Sequence, residues 1–381
     1  MSVPRRVALL TGFIAPFRIA LFKELEQRCR ELRIFVIAPV EPGRTWSVDS
    51  TGLPLSQQRS IAIRGLWRHP HHFSEPLAIQ IPYDTVPQLM RLHPEVIISL
   101  ELGARTLQAA AYRAVARKSR LVIWAAVSEA NEQGRGRMRQ LLRRVLLRSA
   151  DAVIVNGRSG ARYVQHLGAG EAKIFHAPQT TAIAPFLAVP TSRDTAARRR
   201  LLYCGQLIER KGLIPFLAHL SQWCRENPAS TVEMWFAGDG PLRSQLTQFP
   251  VPFNLEVRFL GPVAYDRLPE VYGQAGMLVF PTLADEWGLV VIEAMAAGLP
   301  VLGSLFSQAV EDLVTDTRNG WTFRPDDQVG VRSAINRALG ASDAEIQEMG
   351  FKARQRVRTL TPEAMADNMM AAVEYALTHR S

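Results

Sequence analysis

Along the first part of the chain, short apolar runs alternate with stretches in which apolar residues recur every three to four places. The runs "RVALLTG" (6–12), "LRIFVIAP" (32–39), "EVIISLELG" (95–103), "RLVIWAAV" (120–127) and "DAVIVNG" (151–157) are rich in branched residues. Most are closed by Gly, Pro or a polar residue. Such runs predict buried strands. Between several of them, "APFRIALFKELEQRCRE" and "ARTLQAAAYRAVARKS" carry the helical period. This alternation predicts a parallel sheet covered on both faces by helices.

The pattern lapses in "APQTTAIAPFLAVPTSRDTAARRR", which holds three prolines and no clear period. A domain boundary is expected there. Alternation then restarts with "RLLYCG", "TVEMWFAGDG", "LEVRFLG", "AGMLVFP" and "PVLGS". The expected fold is therefore α/β, with two Rossmann-like, doubly wound domains facing across a cleft. Ligands are expected at the C-terminal ends of their strands. The first domain takes residues 1–180, the linker 181–198 and the second domain 199–360. The tail 361–381 is a further amphipathic helix, capped by Thr361 with Pro362 at its first position.

Composition narrows the class. The 381 residues are 47% hydrophobic and 21% charged, and no apolar run is long enough to span a bilayer. The opening "MSVPRRVALLTGFIAPF" imitates a signal peptide, but Thr11 and Gly12 break it and no small-residue cleavage site follows. It reads as a first strand ending in a glycine turn at Gly12. Three widely spaced cysteines, Cys29, Cys204 and Cys224, suit a reducing cytoplasm. The "HPHH" cluster at His69–His72 has no cysteine or acid at ligand spacing and reads as a surface loop. A net charge of +10 suits an acidic partner: nucleic acid, anionic lipid or a phosphorylated small molecule.

Three strand–turn–helix junctions carry the candidate chemistry. In "DEWGLVVIEAMAAGLPVLGS" (285–304) a helix is expected from near Gly288 to Gly298. Its first N–H groups, at Trp287, Gly288 and Leu289, lack intrahelical acceptors and attract an anion. Glu293 follows roughly 7 Å along the axis, about the span from a diphosphate to a ribose, whose vicinal hydroxyls a carboxylate can accept. Asp285, ahead of the helix, would reach toward the group carried beyond the phosphates. The alternative is a capped helix whose glutamate pairs with a neighbouring cation. In "YCGQLIERKGL", Lys211 and Gly212 open the next helix, and a lysine there offers a mobile charge to a phosphate. Arg210 and Lys211 read equally as solvated charges. "FAGDGPLRSQL" supplies a third junction, with Gly238, Asp239 and Gly240. It lacks the third glycine of a dinucleotide fingerprint, and serves either as a structural turn or as a contact to a nucleotide base.

Taken in order, "GQLIERKGL", "FAGDGPL", "VRFLGPV", "DEWGLVVIEAMAAGLPV", "NGWTF" and "PDD" make the second half similar to the retaining glycosyltransferases of family 4, which have the GT-B fold. The first half is similar more loosely, through "APFRIALFKELE" and the strand order. The resemblance implies a nucleotide-diphosphate sugar on the second domain and an acceptor on the first. It implies that Glu293 holds the ribose hydroxyls and that Trp287, Gly288 and Leu289 offer backbone donors to the phosphates and the sugar. Lys211 would neutralise the leaving diphosphate. Asp285 stands where the family has the first glutamate of its paired acids, one methylene longer, and Glu286 lies beside it. Gln206 stands where the family often has an arginine, so Arg210 is the expected source of that charge. Where many members carry a histidine near the reacting sugar, this chain has "VIWAAVSEANEQ". Glu129 is the candidate acceptor-side base there, or else a helix-terminus carboxylate. Glu101 and Gly103 are expected to line the cleft.

The implied reaction is sugar transfer with retention at the anomeric carbon. The acceptor is a hydroxyl of a glycan or a lipid-linked molecule, in polysaccharide or glycolipid synthesis. No Asp-x-Asp motif is present, so neither a metal nor another cofactor is expected. The segment "GRGRMRQLLRRVLLRS" (residues 134–149) carries six arginines and no acid, and Arg137, Arg139, Arg143, Arg144 and Arg148 lie on one arc of a helical wheel. Met138, Leu141, Leu142, Val145 and Leu146 lie on the other. This fits a helix drawn to anionic headgroups, placing the protein in the cytoplasm, peripheral on the inner face of the membrane. It fits equally a core-facing helix with a solvated basic face. Two alternatives remain: another GT-B enzyme such as a nucleotide-sugar epimerase, and a basic nucleic-acid-binding protein. Charge alone supports the latter, since aromatics make up 8% and no binding motif is present, so no nucleic-acid partner is expected.

Overall fold

A computed structural model describes residues 6–38, 50–193 and 195–379. Met1–Arg5 of the signal-peptide imitation, and Arg380 and Ser381 of the tail, lie outside the described residues. The strands are β1 (Arg6–Leu10), β2 (Glu31–Val36), β3 (Leu55–Gln57), β4 (Ser60–Arg68), β5 (Ser74–Pro82), β6 (Val96–Leu100), β7 (Arg120–Ala125), β8 (Ala152–Val155) and β9 (Ile174–His176). They continue with β10 (Arg200–Cys204), β11 (Val232–Ala237), β12 (Leu255–Gly261), β13 (Met277–Phe280), β14 (Val301–Ser304) and β15 (Gly320–Phe323).

The chain divides into two compact units. The first comprises Met1–His69, Glu75–Ala182 and Leu360–Ser381. Its sheet runs β3-β2-β1-β6-β7-β8-β9, with parallel pairing at each described register. Successive side chains of a strand point to opposite faces, which is why the inner strands β1, β6, β7 and β8 are apolar at nearly every position. Leu9, Ile98, Trp124 and Ile154 pack on one face with Phe22 and with Met365, Met369 and Val373 of the C-terminal helix Pro362–Thr378. Leu10, Ile97, Ile123 and Val153 pack on the other, with Ala109, Tyr112, Leu146 and Leu147. Thr361 caps the C-terminal helix by accepting from the Ala364 N–H, and Pro362 follows it.

The second unit comprises Ile183–Thr359 with Pro70–Ser74. Its sheet runs β12-β11-β10-β13-β14-β15, again parallel at every described pair. In each unit the strand order reverses once, between β1 and β6 in the first and between β10 and β13 in the second. Those are the topological switch points at which open α/β sheets receive ligands.

Three details depart from the expectations above. The stretch 181–198 holds two short helices, Ala184–Leu187 and Thr195–Arg198. β4 and β5 form a two-stranded sheet of their own, which the pattern did not announce. The basic helix, Arg137–Ser149, divides both arcs. Leu146 of the apolar arc is buried, while Met138, Leu141 and Val145 are 80%, 55% and 52% exposed, against the core-facing alternative for those three. Arg143, expected on the wet arc, is 2% exposed and pairs with buried Glu132 while donating 2.7 Å to the Tyr163 hydroxyl. A buried carboxylate demands a cation, and meeting that demand fixes the rotation of the helix. No helix among the described residues is long and apolar enough to cross a membrane.

Candidate active site

The second unit gathers its candidate residues at the C-terminal ends of β10, β11 and β13. The loop after β10 lies against the loop after β11. Gly205 N–H donates to the Ala237 carbonyl at 2.9 Å, and Leu207 N–H to the Asp239 carbonyl at 2.9 Å. This approach explains the Gly-Asp-Gly turn. Gly238 has φ +141°, and a Cβ there would stand 1.9 Å from the Gly205 carbonyl oxygen. Only glycine adopts that conformation without strain and leaves room for the facing backbone. Tyr203 holds the first loop by donating 2.7 Å to the Gln206 carbonyl. Asp239 accepts from the Gly240 N–H at 2.9 Å. With Gly240, Arg243, Ser244 and Thr247 it lines a shallow depression of about 490 Å³.

Glu209–Lys211 forms a single 3-10 turn, and Gly212 then starts the helix Leu213–Glu226. The Lys211 ammonium is pulled inward to an ion pair with Asp285, and Phe280 presents its ring face 5.2 Å away. Arg210 lies 3.9 Å from the same carboxylate and donates to the Ala284 carbonyl at 3.1 Å. Burial by itself would raise the Asp285 carboxyl. The charges of Lys211 and Arg210, with the hydrogen bonds from Lys211 and the Trp287 N–H, outweigh it and hold the group below the ordinary range. Burial raises its neighbour Glu286, and the Asp285 charge adds to that rise.

The helix Leu289–Ala296 begins after Gly288, whose φ is +108°. A Cβ on Gly288 would sit 2.8 Å from the Phe280 ring and 2.9 Å from the Ser307 hydroxyl. The expectation for Trp287 needs correction, because its N–H donates to Asp285 Oδ1 at 3.1 Å. A carboxylate two residues upstream folds back onto it, as an N-capping aspartate does. The Gly288 and Leu289 N–H groups remain at the helix start, where no intrahelical acceptor reaches them.

Glu293 lies on the same helix at the β10–β13 switch point and is 3% exposed. It accepts from the Tyr272 hydroxyl at 3.0 Å. Burial pushes its carboxyl up to about 7, and the hydrogen bonds from Tyr272 and Tyr265 offset part of that rise. No cation is among these partners, so the alternative of a glutamate held in an ion pair does not describe this residue. Tyr272, Tyr265 and Ser307 were not read from the sequence. Each meets its partner only through tertiary packing, and no local spacing signals it.

In the first unit, Glu129 follows β7 and pairs with Arg162, whose Nε donates at 2.9 Å. Its backbone N–H donates to the Ser159 hydroxyl at 2.9 Å. Ser159 and Arg162 belong to the helix Arg158–His166, so Glu129 is a carboxylate bound to the first turns of a helix. Gly12 closes β1 and accepts from the Ile37 N–H at 2.9 Å. Glu101, ending β6, has φ +76°, an uncommon conformation for a residue with a side chain.

Residues 198–341 match the family model described as Glycosyl transferases group 1. The glycogen synthase of Mycobacterium tuberculosis (strain ATCC 25618 / H37Rv) is 27% identical over 217 residues, 56% of this chain and 51% of that protein. The match thus spans about half the length of that relative. Among solved structures, the lipopolysaccharide outer core galactosyltransferase WaaB in its apo form superposes with a TM-score of 0.72 at 12% identity, over 97% of this chain and 99% of that one. Anabaena Alr3699/HepE in complex with UDP and glucose superposes with a TM-score of 0.70 at 15% identity, over the same shares of both chains.

Proposed function

Because the chain belongs to the group 1 glycosyl transferases, of GT-B fold, we propose that it transfers a sugar from a nucleotide-diphosphate donor to an acceptor hydroxyl with retention of anomeric configuration. The observation that carries this reading is the β10–β13 switch point. There the C-terminal strand ends bring a helix start with open N–H groups, a lysine held by Asp285, and the buried carboxyl of Glu293, which accepts from Tyr272, onto neighbouring glycine-bearing loops and one short helix. A diphosphate takes the Gly288 and Leu289 N–H groups and shares Lys211 with Asp285. The ribose hydroxyls donate to Glu293. Asp285 and Glu286 lie next to the donor sugar, and Asp239 and Gly240 beside the base. As the bond to the anomeric carbon breaks, charge builds on the diphosphate, and Lys211 with the helix start stabilises it without a metal.

The acceptor, a glycan or lipid-linked hydroxyl in polysaccharide or glycolipid synthesis, belongs to the first unit in this reading. Membrane approach is supported by the exposed face of Arg137–Ser149, where Met138, Leu141 and Val145 lie among exposed Arg137, Arg144 and Arg148. Cosedimentation with phosphatidylglycerol vesicles but not phosphatidylcholine vesicles tests it, and equal behaviour with both removes it.

The transfer itself is tested with a panel of nucleoside diphosphates and nucleotide sugars. At least one nucleoside diphosphate should raise the melting temperature, and the matching sugar nucleotide should yield a glycosidic product with the donor's anomeric configuration. Protection by none of the panel, or affinity only for DNA or RNA that collapses with salt, overturns the proposal.

A further inference from the structure

The "HPHH" stretch, expected as a surface loop, is only partly one. It opens the turn between β4 and β5. His69 is buried, and its Nε2 lies 2.9 Å from the Ala130 carbonyl oxygen. Pro70–Ser74 belongs to the second unit. Within it Phe73 is buried, His71 is half-buried and His72 is exposed. His72 has φ +59°, uncommon for a residue with a side chain, and such a conformation persists where its surroundings hold it. The His71 ring lies against the Phe306 ring, with centroids 5.0 Å apart and planes tilted by 35°. The Arg324 guanidinium lies 5.1 Å from the centre of the same ring. Ser74 N–H donates to Glu209 Oε2 at 3.5 Å, and Glu209 opens the 3-10 turn that carries Lys211.

Phe306 begins the segment that holds the main chain of Asp285–Trp287. Its carbonyl accepts from the Asp285 N–H at 3.0 Å. Gln308 Nε2 donates to the Glu286 carbonyl, and Ala309 N–H donates to the Trp287 carbonyl at 3.0 Å. One short turn therefore touches both loops whose side chains form the Lys211–Asp285 pair. We propose that His71 is a positioning residue of the donor site: it holds Phe306 and, through the Phe306 carbonyl, the main chain of Asp285. The inference rests on the glycosyl-transfer reading only in taking Asp285 to face the donor sugar. A site carboxylate displaced by about 1 Å loses its hydrogen bond to the sugar and with it much of the turnover. Burial lowers the His71 pKa. Asp326 opposes that shift, and His72 and Arg324 reinforce it. The ring is therefore neutral at pH 7 and packs on Phe306 as an aromatic, a role that phenylalanine can take over.

Amide hydrogen exchange reads the positioning directly, without substrate. In His71→Ala the Asp285 N–H should exchange at least about tenfold faster, because its bond to the Phe306 carbonyl opens more often. The Leu202 N–H in β10 should exchange as in the wild type, and His71→Phe should restore the Asp285 rate. Calorimetric titration then compares two ligands. His71→Ala should weaken binding of the sugar nucleotide by at least about fivefold, and of the matching nucleoside diphosphate, which lacks the group facing Asp285, by less. The proposal is overturned by an unchanged Asp285 rate in His71→Ala, by an equal acceleration at Leu202, by His71→Phe behaving like His71→Ala, or by equal losses for the two ligands. A faster Asp285 amide in a protein that turns over no sugar nucleotide would sustain the positioning and remove the glycosyl-transfer reading.

Discussion

The two units treat buried polar groups in opposite ways. At β10–β13 the buried polar groups meet partners within the protein: Lys211 with Asp285, Asp285 with the Trp287 N–H, and Glu293 with Tyr272. In the first unit the Trp124 indole on β7 and both amide atoms of Asn156, just past β8, are buried without a hydrogen bond. One rule covers both, since a buried polar group is stabilised only by a partner, and the second unit follows it more closely than the first.

The comparison breaks most sharply at Lys211. Lys211→Met leaves Asp285 buried without its closest cation, so stability should fall by about 3–5 kcal/mol. Turnover should fall by at least about a hundredfold through the loss of diphosphate stabilisation. Chemical denaturation and product formation measure the two losses, and a variant as stable and active as the wild type would show that the pair is ornamental.

Glu293 gives the next effect, and its sign depends on pH. The folded carboxyl lies near 7 and its ordinary value is 4.5. The neutral acid is therefore favoured by folding. Its contribution is fully present below about pH 4.5 and is lost as pH rises through 7. Between pH 4.5 and 8 the wild type should lose about 3 kcal/mol relative to Glu293→Gln, whose side chain does not ionise. Denaturation curves of both proteins across this interval decide it, and parallel pH profiles would mean that Glu293 does not titrate differently on folding.

The smallest effect should have the opposite sign. Asn156→Leu, just past β8, removes two unmet polar atoms at similar volume. The protein should gain about 1–3 kcal/mol. A loss of stability would mean that the Asn156 amide is satisfied after all, and the contrast between the two units would close.

Much of the second unit was legible along the chain. Its inner strands β10, β13 and β14 are nearly continuous apolar runs because both faces are buried. The Gly288 start of the Leu289–Ala296 helix is written in local residue types, as are the Gly238 and Gly212 turns. The arginine helix shows where such reading stops. A wheel separates its apolar and basic arcs correctly as positions, yet it cannot show that Glu132 lies beneath it and turns Arg143 inward. For the same reason the sequence marks the Trp287 N–H as a phosphate donor, whereas the fold gives it to Asp285.

Sequence by itself determined the elements with a local cause: strand periodicity, glycine turns, the Thr361 cap, and the family motifs of the second half. Tertiary structure alone decided which polar groups meet. It joined Lys211 to Asp285 across 74 positions and Glu293 to Tyr272 across 21, and it left the Trp124 indole N–H and the Asn156 amide without a hydrogen bond. Period and turn chemistry act over a few neighbouring residues, whereas the partner of a buried charge depends on strand order, which brings together residues far apart in the chain.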